Sequence, residues 1–100
     1  MKTLKDIETN FNIRFDTDYN YKGIMSAKEI EVGDYFYTKG NRDISTQQGT
    51  ITKIHRKTID YDTPYMTGLL NFDHQKIEKT FRLNDTIIIR NKEVYCLTFI

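Results

Sequence analysis

A chain of 100 residues with fifteen Lys and Arg against fourteen Asp and Glu has room for one core and carries a formal net charge of +1, so no global field draws it to nucleic acid or to an anionic membrane. Its one cysteine, Cys96, excludes an internal disulfide, and its apolar runs reach only about three residues against the roughly twenty of a membrane helix. Met1–Asp6 lacks the apolar stretch of a secretory leader, and a reducing, cytoplasmic setting is the expectation.

Apolar residues make up 38% of the chain, a low share, so its thirteen aromatics must supply core volume beside Ile. Thr3, with Asp6 three residues on, starts a helix over Thr3–Phe11 that places Leu4, Ile7 and Phe11 on one stripe. From Asn12 to Gly23 the pattern dissolves, with Ile13 and Phe15 alternating briefly as an edge strand. Ser26 and Glu29 repeat the capping logic for a single helical turn before Val32-Gly33-Asp34 launches a strand. In Asp34–Thr38 alternation puts Phe36 inward and Tyr35 with Tyr37 outward. The polar segment Lys39–Gly49 reads as a long connection and a candidate functional loop. Thr50–Tyr61 reads as one long strand. Ile51 and Ile54 share a face of it only if a β-bulge inserts a residue near Lys53. Pro64 and Gly68 bracket an apolar loop with Tyr65 and Met66, and Ile77–Leu83 alternates as a strand with Phe81 inward. Asp85–Arg90 and Glu93–Ile100 form a closing hairpin around Asn91-Lys92.

The run Val32-Gly33-Asp34-Tyr35-Phe36-Tyr37, followed by Gly49-Thr50-Ile51-Thr52-Lys53-Ile54, resembles the first two strands of SH3-like small barrels. The expected fold is mainly β (α+β): a small SH3-like, strongly bent antiparallel barrel of five to six strands with a short N-terminal helix. It is one domain over 1–100, in which a helical and irregular segment 1–31 packs on a barrel of 32–100. Such barrels serve as binding scaffolds more often than as catalytic centres.

The chemistry-bearing residues are sparse. His55, His74 and Cys96 each stand alone in their segments, without the short-spaced pairs of a zinc site, so no metal and no cofactor is expected, although Asp60 and Asp62 share a strand face near His55. Cys96, between Tyr95 and Leu97, sits in an apolar strand unsuited to a reactive thiolate, and the five scattered glycines cradle no phosphate. The expectation is a protein that is not an enzyme.

Two surfaces remain. Tyr19, Tyr21, Tyr61, Tyr65 and Met66 are residue types that protein interfaces favour, since they bury area while keeping a polar or adaptable character. They point to a protein-interaction module, which binds a protein partner or a second copy of itself, of the kind with which a phage or mobile element inhibits a host factor. The alternative is a nucleic-acid-binding barrel whose Tyr35 and Tyr37 stack bases while Lys39, Arg42, Lys53, Arg56 and Lys57 track phosphates. A third reading, a small-molecule or nucleotide pocket in an oligomer, rests on aromatic content alone.

Overall fold

The computed structural model describes residues 3–40, 42, 45–64, 72–78 and 85–98 of the chain. Helix α1 (Leu4–Phe11) is followed by β1 (Asn20–Ser26), a 3-10 turn at Ala27–Glu29, and β2 (Tyr35–Thr38). Then come β3 (Gln47–Ile54), β4 (Thr58–Pro64), β5 (Phe72–Glu78), β6 (Thr86–Arg90) and β7 (Glu93–Thr98). No helix among the described residues is long and apolar enough to cross a membrane.

The fold is mainly β, with one short helix, but it corrects the expected barrel in three respects. The sheet has seven strands, in the order β1-β7-β6-β2-β3-β4-β5. It is mixed, because β1 pairs with β7 in parallel while every other pair is antiparallel. Among the described residues it is also not closed, with β1 and β5 at its two ends. The β6–β7 hairpin therefore lies between β1 and β2, and the chain from β1 to β2 must cross over it.

Local signals produce most elements as expected. Thr3 Oγ1 accepts the Asp6 N–H and the Asp6 carboxylate accepts the Thr3 N–H, a complete capping box, and Asn12 ends α1 in the left-handed region at φ 54°. Ser26 and Glu29 build the same box around the 3-10 turn. Asn91 and Lys92 both take positive φ, 50° and 64°, the requirement of a type I′ hairpin. The register between β3 and β4 slips between Ile51 and Lys53, so a bulge lets Ile51 and Ile54 point to one side.

Two expectations fail. Thr50–Tyr61 is not one strand: the chain reverses at Arg56-Lys57, with the His55 N–H donating to the Thr58 carbonyl at 2.8 Å. Ile13 and Phe15 are not in a strand; the edge strand is Asn20–Ser26, so the first 31 residues supply part of the sheet itself. Ile77 lies in β5, whereas Phe81, Leu83, Tyr65 and Met66 lie outside the described residues.

The sheet has two buried faces. On one, Phe36, Ile51, Ile59, Tyr61, Ile88, Met25 and Leu97 form a continuous core that Ala27 and Ile30 of the crossover join. Gly49 is part of the arrangement: a Cβ there would lie 2.4 Å from the Asp62 carbonyl oxygen and 2.7 Å from Tyr61 Cδ2. Only glycine lets the Tyr61 ring come down onto β3 and meet Phe36 edge-on, at 4.7 Å between centroids. At the edge of this core Thr38 Oγ1 and Thr86 Oγ1 satisfy each other at 2.9 Å.

On the opposite face α1 lays Ile7 and Phe11 over Ile87 and Val94, with Tyr37, Ile89 and Cys96 packed around them. This cover is the fact that positions the candidate site.

Candidate functional site

After α1 the chain doubles back along the sheet. The Glu8 carboxylate accepts the Phe15 N–H at 2.8 Å and so ties the segment Ile13–Phe15 to the helix that precedes it. Further on, Tyr19 N–H donates to the Asp16 carbonyl and Asn20 N–H to the Lys92 carbonyl, which leads the chain into β1. A cleft of about 480 Å³ opens between this segment and the sheet, lined by Ile13, Arg14, Phe15, Asp16, Tyr19, Tyr35, Tyr37, Gln48 and Ile89.

Its aromatic walls are held in place. Phe15 and Tyr19 lie against each other at 5.3 Å, and the Lys92 ammonium stands 5.8 Å from the Tyr19 ring centre while hydrogen-bonding Asp18. Tyr37 meets Phe11 edge-on at 5.9 Å and its hydroxyl donates to the Phe11 carbonyl at 3.3 Å. Tyr35 donates to Gln48 Oε1 at 2.6 Å. Burial, and then the neighbouring Tyr37, raise the pKa of the Tyr35 hydroxyl. The result is an apolar-walled groove with an amide, a guanidinium and a carboxylate at its rim.

The tyrosines singled out from sequence, where the structure describes them, fall in three places. Tyr19, Tyr35 and Tyr37 come together in the groove. Tyr61 is 4% exposed and belongs to the core. Tyr65 and Met66 lie outside the described residues. Tyr21 packs under α1 beside Cys96, where burial first and a hydrogen bond with the thiol second push its pKa up to about 12.

That last value carries a test. An unfolded tyrosine loses its proton near pH 10, so Tyr21 keeps its proton in the folded chain over a window in which the unfolded chain has lost it. The stability tied to this proton is complete below pH 10 and is lost as pH rises towards about 12. Thermal midpoints measured across this window should fall less steeply for Tyr21→Phe than for the parent chain; parallel curves would show that Tyr21 does not titrate this way.

The basic residues do not join the tyrosines. Arg56 and Lys57 are exposed at the tip of the β3–β4 hairpin, and Arg42 is exposed in the connection before β3. Lys39 reaches Asn10 Oδ1 at 3.5 Å. Lys53 stands opposite Asp60 in the β3–β4 ladder, about 10 Å further along β3 than Thr50, the neighbour of Tyr35. The Asp60 carboxylate also lies 3.1 Å from His55 Nε2 and 3.7 Å from Lys76 Nζ, which places an acidic group among these basic residues. Among the described residues, no three His, Cys, Asp or Glu side chains converge as a metal site would require.

Sequence reasoning missed Ile13, Arg14, Phe15, Asp16, Gln48 and Ile89 as groove residues. One signal was available, the aromatic pair Phe15 and Tyr19 in a segment with no secondary-structure period. Comparison with protein families, curated proteins and solved structures finds no match for this chain.

Proposed function

We propose that the protein is a non-enzymatic interaction module whose docking surface is the groove between Ile13–Tyr19 and strands β2, β3 and β6. The observation that carries this reading is the groove's make-up: Phe15, Tyr19, Tyr35 and Tyr37 on the walls with Arg14, Asp16 and Gln48 at the rim. Tyrosine and arginine are the residues that concentrate binding energy at protein interfaces, since their apolar bodies bury area while their polar tips find partners. The seven-stranded sheet serves as a rigid support, in the way SH3-like small barrels carry binding on exposed surfaces. A partner in a host cell, inhibited by a small phage or mobile-element protein, is the biological setting that suits a single small domain of this kind.

Affinity purification from the native cells, with and without nuclease, tests the reading. The expected result is a stoichiometric, salt-tolerant protein complex that survives nuclease. It should weaken by about tenfold or more in a folded Tyr19→Ser/Tyr35→Ser variant, the scale of a hot-spot loss. A complex indifferent to the double substitution moves the interface elsewhere, and one that dissolves with nuclease or rising salt favours nucleic acid instead. The cleft volume of about 480 Å³ also falls in the range of small-molecule sites, which favours a small planar ligand as the second reading.

A further inference from the structure

The aromatic groove does not end at Arg14. A second cleft, also of about 480 Å³, adjoins it along α1 and is lined by Lys5, Glu8, Thr9, Asn12, Ile13 and Arg14. Ile13 and Arg14 line both clefts, so Arg14 stands at their junction. The carboxylate of Glu8 in this second cleft is held by the Phe15 N–H and keeps its charge, so Lys5 and Arg14 together outweigh it by one positive charge. Lys5 and Arg14 are both exposed, and among the described residues neither forms an ion pair. An extended ligand lying along both clefts thus meets a net positive charge at one end and tyrosine rings at the other, with Asp16 on the aromatic side disfavouring a second anion there.

Resting on the interaction reading above, we propose that the paired clefts bind an acidic peptide segment of a protein partner. Its carboxylate is received by Arg14 and Lys5, and a large apolar side chain a few residues away lies between Tyr19 and Tyr35. A guanidinium suits this task because its planar donor fork matches a carboxylate in two parallel hydrogen bonds. The free face of a tyrosine ring, in turn, accepts aliphatic and aromatic side chains alike.

A random-peptide display library selected on the intact protein tests this. Enriched sequences should pair Asp or Glu with Leu, Phe or Tyr at short spacing, and a synthetic peptide of that consensus should bind in calorimetry. Arg14→Glu should weaken that peptide by about tenfold or more, as should replacing its acid by the amide, while Arg14→Lys should lose less. Arg14 is exposed, so neither variant is expected to disturb folding, which circular dichroism checks. Peptides that bind, are lost with Tyr19→Ser, yet show no acidic preference and no response to Arg14→Glu overturn this inference and leave the interaction groove standing. If no peptide is enriched, or a single-stranded oligonucleotide binds through Arg14 in its place, the inference also fails. In that case the interaction reading is decided separately, by the pull-down from native cells.

Discussion

Phe36→Ala is expected to cost about 3–5 kcal/mol of folding stability, as a buried aromatic deletion does. Phe36 is 0% exposed and lies at the centre of the sheet, on β2 between β3 and β6. Its removal takes away the edge-on partner of Tyr61, and the void cannot close easily, because Gly49 already brings Tyr61 as near to β3 as the backbone allows. Domains of this size have roughly 5–15 kcal/mol in hand, so the variant should unfold at markedly lower urea. Ile24→Ala is the control. Ile24 is 71% exposed, and its truncation should stay within about 0.5 kcal/mol. Equal midpoint shifts for the two variants would mean that the core side of the sheet is wrongly assigned.

What was legible in this chain was whatever local chemistry dictates. Thr3 with Asp6 and Ser26 with Glu29 write their capping boxes in three residues, and the apolar spacing of Ile51, Ile54 and Ile59 demands an inserted residue before any partner strand is known. The reversal at Arg56-Lys57 carries no such mark. Neither residue is a turn former, and a continuous strand satisfies the pattern as well. Strand β1 was hidden for another reason. Asn20–Ser26 has one open edge and a register shift between Tyr21 and Gly23, where Gly23 adopts φ 124°. Its partner β7 stands at the far end of the chain, and parallel pairing at that separation leaves no periodic trace.

The candidate site was half legible for related reasons. Alternation in β2 assigns Tyr35 and Tyr37 to the face opposite Phe36, and they stand there. It does not say that α1 will cover that face. Ile7 and Phe11 require some apolar surface, and Ile87 and Val94 of the inserted hairpin provide it. Once α1 lies there, Tyr35 and Tyr37 line a groove beside the helix. The change of candidate site therefore follows from the same sheet order that the sequence concealed.

That sheet order also makes one ion pair unusually important. With β6 and β7 between β1 and β2, residues 27–34 must cross the sheet, and Arg90 at the end of β6 fastens them. Its Nε and Nη2 each lie 2.8 Å from an oxygen of Asp34, and Nη2 also donates to the Glu29 carbonyl at 3.0 Å. The Asp34 carboxylate in turn accepts the Glu31 N–H at 2.8 Å. These hydrogen bonds hold the Arg90 pKa even further above its ordinary value, so the cation is permanent. Arg90→Ala is expected to cost about 3–5 kcal/mol, because it strands a carboxylate that is 3% exposed. Asp34→Ala should cost less, since the Arg90 side chain is 27% exposed and its guanidinium can turn to water. The double variant should lose clearly less than the sum of the two, and Arg90→Lys should recover only part, lacking the two-pronged fit. Urea unfolding of the parent chain and these four variants measures this directly. Strictly additive losses would show that the pair does not couple, and the crossover would then rest on the packing of Ala27 and Ile30 and on the backbone hydrogen bonds that Gly33 and Asp34 exchange with Ile51.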